Sequence, residues 1–198
     1  NSDNYALAIL HIETDPYRLD KDNRPTKIVI VDHIKMWQPS ETGEPVNISE
    51  VDEYVIQMSR QFNVVSITYD MWESAASSQL LQRMGLPARI TPFSSSYKQQ
   101  IYSTLRNLFF EGRIEFYGLD SYNTQTLKDN YGFVKEAADQ FKFLGRKFNK
   151  KSFSIAAASG HFDDIPDCIA GASFIALTNQ HGYVSLPRMG SVKMPAFR

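Results

Sequence analysis

The chain has 198 residues, 42% of them hydrophobic and 22% charged, which suits one globular core with at most a small appendage. A net charge of -1 leaves any nucleic-acid binding to a local basic patch, and no apolar run approaches the roughly 20 residues that span a bilayer. No charged-then-apolar signal peptide opens the chain, and the single cysteine, Cys168, excludes an internal disulfide and suits a reducing compartment.

The opening "NSDNYALAILHIETD" enters a strand almost at once, without Met or lead-in, as expected of a piece of a longer polypeptide. Tyr5 to Glu13 reads as that strand, Asp15 to Pro25 as a turn rich in Asp, Asn and Pro, and Lys27 to Trp37 as a second, β-branched strand. The two are expected to pair antiparallel. Asn47 to Phe62 carries apolar residues near a 3.6-residue repeat and predicts an amphipathic helix with Ser49 as its N-cap. Val64 to Tyr69 reads as a buried strand ending at Asp70. Ala75 to Met84 predicts a helix stopped by Gly85, Ala88 to Phe93 a short strand, Tyr97 to Glu111 a helix ending at Gly112, and Arg113 to Tyr117 another strand. A helix is expected within Tyr122 to Ala138. Ser152 to Ala158 suits strand or loop, Ile165 to Leu177 a small-residue helix, and 181–198 a tail after a domain spanning 1–180. Antiparallel strands followed by alternating strands and helices point to an α/β domain with a mixed sheet.

Two groups of acids carry the chemical question. Asp70 follows an apolar strand, and the C-terminal ends of parallel strands are where ligands bind in α/β sheets. The alternative is a turn Asp that opens the next helix. In "GHFDDIPDCIAGASF", Asp164 and Asp167 are three residues apart and Asp163 and Asp167 four, so either pair shares a helix face. Capping accounts for one or two of these acids, with Asp164 as N-cap and Asp167 at N3. It accounts less well for three acids plus His161. The positive end of the helix dipole keeps such carboxylates ionised, the form a hard cation requires, so capping and metal binding are compatible. Carboxylates brought from a strand end and a helix are how Mg²⁺ or Mn²⁺ is held, and two such ions serve phosphodiester cleavage. Zinc suits the chain poorly, with one Cys and four His lacking ligand spacing. His161 suits a ligand, a second-sphere group, a general base or a solvated loop residue. Lys142, Arg146, Lys147, Lys150 and Lys151 lie within ten residues, interleaved with Phe141, Phe143 and Phe148. This segment suits a phosphate-contacting hairpin or loop anchored by its aromatics, or a solvated charge run. No nucleophile elbow, P-loop or dinucleotide fingerprint is present.

Three stretches together resemble the nuclease domain of the large terminase subunit of tailed bacteriophages: "DNYALAILHIE" with "KIVIVDHIKMW", "NVVSITYDMWESAASSQLLQRMGLPA", and "FDDIPDCIAGASF". "LRNLFFEGRIEFY" is similar to the family's helix, Gly, strand segment, so the likeness covers most of Asp3 to Leu177. The resemblance implies a ribonuclease-H-like mixed sheet flanked by helices. It implies an endonuclease that cuts concatemeric viral DNA with two Mg²⁺ or Mn²⁺ ions. Asp70, Asp164 and Asp167 are the implied catalytic metal ligands, with Asp163 an alternative ligand, His161 in the second sphere, and Arg146, Lys147, Lys150 and Lys151 on DNA. The family's first metal-binding Asp lies on a strand just before the segment matching "NSDNYALAI", a strand this chain lacks, and neither Asp3 nor Glu13 is a safe replacement. The implied partners are double-stranded DNA, an N-terminal packaging ATPase in the same parent chain, the portal and the small terminase subunit. The implied location is the cytoplasm of the infected bacterial host, transiently at the procapsid portal, with no membrane. The rivals are another ribonuclease-H-like nuclease, of Holliday-junction resolvase or transposase type, and a non-catalytic DNA-binding or docking domain.

Overall fold

The computed structural model describes residues 4–70, 74–116, 125–149 and 152–178. They form twelve elements, seven strands and five helices, in the order β1 (Tyr5–Leu19), β2 (Pro25–Trp37), α1 (Ile48–Gln61), β3 (Ile67–Tyr69), α2 (Ala75–Arg83), β4 (Ala88–Ile90), α3 (Ser95–Phe110), β5 (Ile114–Phe116), α4 (Gln125–Lys142), β6 (Leu144–Asn149), β7 (Ser152–Ala157) and α5 (Asp164–Thr178). The chain divides into two compact units, one of Asn1–Tyr5 with Trp37–Tyr97 and one of Ala6–Met36 with Lys98–Arg198. The expected tail at 181–198 lies outside the described residues.

The larger unit is organised by β2, the middle strand of a sheet ordered β1-β2-β5. Its run Ile28, Val29, Ile30 and Val31 is buried on both faces, which is why the sequence shows a continuous β-branched stretch here and no alternation. β2 runs parallel to β5, with Val29 opposite Ile114 and Val31 opposite Phe116. β1 runs six residues further than its apolar stretch suggests, so the hairpin turn lies at Asp20–Arg24. Asp20 closes it: its N–H donates to the Arg24 carbonyl, and its carboxylate accepts from the N–H groups of Asp22 and Arg24. Such local side-chain bonds are what Asp contributes to turns. α3 ends in a Schellman motif. Gly112 takes a φ of +57°, its N–H donates to the Phe109 carbonyl, and the Arg113 N–H donates to Leu108.

α4 and α5 pack against each other in the same unit. Ile165, Ile169, Ala170 and Ser173 of α5 are fully buried, and each fully buried isoleucine contributes about 1.5–3 kcal/mol. β6 and β7 pair antiparallel with a two-residue connection, Leu144 opposite Ala157 and Asn149 opposite Ser152. Of the basic segment, Lys142 ends α4, and Arg146 and Lys147 lie on the first strand of this hairpin.

In the smaller unit, β3 pairs parallel with β4, Ile67 opposite Ala88 and Tyr69 opposite Ile90. α1 presents Val51, Val55 and Met58 to the interior, a face at helical spacing. Its N-cap is Asn47, two residues before the expected Ser49: the Asn47 side chain accepts from the Ser49 N–H. α2 ends in a second Schellman motif, with Gly85 at φ +79° and the Leu86 N–H on the Leu81 carbonyl. No helix among the described residues is long and apolar enough to cross a membrane.

Candidate functional site

The acid expected at a strand end is there. Asp70 is exposed and directly follows β3, at the C-terminal edge of the parallel β3–β4 pair. Its position is set by backbone bonds. The Thr91 N–H donates to the Tyr69 carbonyl, and the buried Ser74 hydroxyl donates to the Asp70 carbonyl. Ser74 also stands at the N-cap of α2 and its carbonyl accepts from Ser78, so Asp70 is not the residue that opens that helix. Behind the strand, the buried Asp52 of α1 accepts a hydrogen bond from Ser77 at 3.1 Å. Burial, then the Asp52 charge, pushes the Tyr69 phenol well above its ordinary value and keeps it neutral.

In the other unit, two of the three acids around the start of α5 meet one cation. The Lys98 ammonium lies 2.6 Å from Asp167 Oδ2 and 3.5 Å from Asp163 Oδ2. The Tyr102 hydroxyl donates to Asp167 Oδ1 at 2.6 Å. Lys98 and Tyr102 are one turn apart on α3, so a single helix face serves both oxygens of one carboxylate. Burial works against the charge on Lys98, but Asp167 and Asp163 outweigh it and hold the ammonium above its ordinary value. Burial pushes Asp167 upward, and Lys98 and Tyr102 offset this only in part. Tyr102, buried and facing Asp167, is raised and stays a neutral donor.

The cap of α5 differs from expectation by one residue. The Asp163 carbonyl accepts the first helical bond, from the Asp167 N–H, so Asp163 holds the N-cap position and Asp164 begins the helix. Pro166, without an N–H, fits the first turn. The orphan N–H of Ile165 donates instead to Gln140 Oε1 of α4 at 3.1 Å. Gln140 is buried and its amide nitrogen donates to Glu136 at 3.2 Å, so α4 fixes where α5 starts. Asp167 is consequently not a capping-box acid. Its side chain faces Lys98 and Tyr102, and the pair that meets is Asp163 with Asp167, the four-residue spacing.

The remaining expected residues lie around the β6–β7 hairpin. Arg146 is exposed on β6 opposite Ile155, and Lys147 occupies the next position, opposite Ser154. Lys150 and Lys151 lie outside the described residues. The aromatics play different parts. Phe141 packs edge-on against Phe109 and anchors the segment, whereas Phe143 is 43% exposed and its ring stacks on His161 at 3.6 Å. Among the described residues, no group of three or more His, Cys, Asp or Glu side chains gathers as a metal cage by itself.

Sequence reasoning missed Lys98, Tyr102 and Gln140. Lys98 and Tyr102 lie 65 residues from Asp163 and Asp167 respectively and sit in a polar stretch with no motif; only their four-residue spacing on a helix marks them as sharing a face.

No protein-family model matches this chain, and no curated protein matches it in sequence. Solved structures do match. The large terminase nuclease from thermophilic phage G20c with bound magnesium superposes with a TM-score of 0.53 at 16% identity, over 84% of this chain and 80% of that one. A second structure of the same phage nuclease gives 0.53 at 16% identity over 87% and 82%. The chain thus shares the mixed α/β fold of that large terminase nuclease, the fold the sequence resemblance implied.

Proposed function

We propose that this domain is a metal-dependent DNA endonuclease of a viral DNA-packaging terminase that cuts concatemeric genome DNA. The observation that carries this reading is the arrangement at the start of α5: two carboxylates, Asp163 and Asp167, already placed around a cation in a fold shared with a phage nuclease. The donor set is all oxygen, which suits Mg²⁺ or Mn²⁺ and not a thiolate-seeking metal. The Lys98 ammonium shows that a cation fits between these carboxylates, so the residues suit a divalent ion. The phage nuclease structure with magnesium supports the same choice.

In this reading the acids that hold two ions are Asp167 with one or both of Asp163 and Asp164 in the larger unit, and Asp70 in the smaller. Bound ions of this kind activate water for attack on a phosphodiester and stabilise the leaving oxygen. The chain's own contribution is placement. The end of β3 presents Asp70 on a backbone held by Ser74. Tyr102 orients Asp167 through Oδ1, the kind of outer contact that keeps a ligand in one pose. The hairpin residues Arg146 and Lys147, with Lys150 and Lys151, track the phosphate backbone with little base preference. His161 stands between this arm and the acids in sequence and serves as an outer group. Choice of cut site falls to partners: an ATPase in the same parent chain, the portal and the small terminase subunit, in the cytoplasm of an infected host.

The test is cleavage of supercoiled plasmid, linear duplex and a four-way junction by the polypeptide carrying this domain, with Mn²⁺ or with EDTA. Cleavage of plasmid and linear duplex that depends on Mn²⁺ is expected. Strong preference for the junction reassigns the domain to a resolvase-type enzyme, and DNA binding without cleavage reassigns it to a docking module.

A further inference from the structure

Lys98 is an unusual neighbour for carboxylates that serve a metal. Its side chain is only 24% exposed, and its ammonium makes a charge-assisted hydrogen bond of 2.6 Å to Asp167 while reaching Asp163 at 3.5 Å. Two carboxylates this near one another repel unless a cation lies between them. Mg²⁺ binds carboxylate oxygens at about 2.0–2.1 Å, so an ion on Asp167 Oδ2 and an ammonium on the same oxygen compete for one space. The two α3 side chains are suited to different parts. Tyr102 is a short, rigid donor on the other oxygen, able to stay in place. Lys98 ends a flexible four-carbon stem and can swing away.

We propose that Lys98 is the exchangeable counter-ion of the Asp163–Asp167 pair: it holds the two carboxylates together in the metal-free protein and is displaced when a divalent ion loads, while Tyr102 remains on Asp167. The inference rests on the metal-binding reading above and goes beyond it by assigning a positioning residue that sets the threshold for loading. The ammonium lowers the apparent metal affinity and, in exchange, keeps the metal-free site from opening through charge repulsion.

Calorimetry with Mn²⁺ and thermal unfolding with and without Mn²⁺ test this on the wild type, Lys98→Met, Lys98→Arg and Asp167→Asn, at 0.1 and 0.5 M KCl. Lys98→Met is expected to bind Mn²⁺ about tenfold more tightly. The gain persists at 0.5 M KCl, because direct exchange is short-range and bulk charge effects are screened. The metal-free Lys98→Met protein unfolds about 2–4 °C lower. Lys98→Arg, which keeps the charge, shows no comparable tightening. Should Lys98→Met fail to fold, Lys98→Gln takes its place with the same expected tightening. Unchanged or weaker Mn²⁺ binding by a folded Lys98→Met protein, or a gain that vanishes at 0.5 M KCl, overturns the counter-ion role. Asp167→Asn separates the two levels. Lost Mn²⁺ binding there with unchanged Lys98→Met affinity overturns this inference alone, whereas unchanged binding in Asp167→Asn overturns the metal reading itself.

Discussion

The two acidic places in this molecule are built in opposite ways. At the end of β3, Asp70 is exposed and held by backbone bonds: strand pairing with β4 and the Ser74 hydroxyl on its carbonyl. At the start of α5, Asp163 and Asp167 are partly buried and held by side chains, with Lys98 and Tyr102 reaching in from α3 and Gln140 of α4 fixing the helix end. A carboxylate at a strand end takes its place from the backbone that carries it. One placed by an ion pair and a phenol takes its place from side chains far along the chain. The first kind is visible as a local pattern of residues. The second depends on chain segments that only the fold brings together.

The sharpest break of this comparison is neutralisation of the exposed acid. If Asp70 is a metal ligand as proposed, Asp70→Asn is expected to lower plasmid cleavage by about a thousandfold or more, since bound ions of this kind supply several kcal/mol of transition-state stabilisation. Its unfolding curve should overlay the wild type within about 0.5 kcal/mol, as for surface changes generally. Nicking at the wild-type rate by Asp70→Asn removes it from the catalytic set.

The partners come next, and here the two places should part company. Tyr102→Phe deletes the donor on Asp167 and is expected to weaken Mn²⁺ binding by about tenfold, the low end of outer-sphere effects on metal sites. It should also cost about 1 kcal/mol of stability. Ser74→Ala deletes the bond to the Asp70 carbonyl and should cost a similar ~1 kcal/mol with a smaller change in Mn²⁺ affinity, because it acts on backbone and not on the ligand oxygen. Calorimetry and urea unfolding on both variants check this. Equal falls in metal affinity would erase the distinction between side-chain and backbone positioning.

Much of the fold was legible in the sequence, for physical reasons that differ by element. β2 was visible because a strand buried on both faces must be continuously β-branched. α2 and α3 were correctly ended because Gly85 and Gly112 adopt the left-handed φ that stops a helix. The length of β1 was not legible, because its outer part, Thr14–Leu19, is mostly exposed and carries the turn-favouring Asp15 and Pro16. Asp70 was found because strand followed by acid is a local signal. The true wiring of Asp167 was hidden, since a capping-box acid and one turned to another helix look alike over four residues, and its partners Lys98 and Tyr102 lie on α3. The hairpin arm was ambiguous because a basic run in isolation is as readily solvated surface as a DNA-binding element.

A smaller effect is expected from that arm. Replacing Lys147, Lys150 and Lys151 by Ala should weaken DNA binding uniformly across sequences and reduce the slope of log affinity against log salt by about 1 for each lysine–phosphate pair removed. An unchanged slope makes the run solvated surface.

The smallest effects concern protons in the larger unit. The Asp32 carboxylate 2.8 Å from His11 is the main cause that raises this histidine above its ordinary value of 6.5; burial opposes it and Glu13 adds to it. Burial, then Lys35, lowers His33 below 6.5. The stability contributed by His11 is therefore complete below pH 6.5 and lost as pH rises through its folded-state value. That tied to His33 is present above pH 6.5 and lost as pH falls through its own. Histidine NMR titration should show His11 losing its proton at the higher pH and His33 at the lower, and the reverse order would contradict both assignments.

The most direct measurement is anomalous diffraction from crystals soaked in Mn²⁺. The proposed metal site predicts manganese bound at Asp167, manganese bound at Asp70, and the Lys98 ammonium moved off Asp167. Manganese that touches neither acid, or touches Asp167 while Asp70 stands apart from every ion, would contradict it.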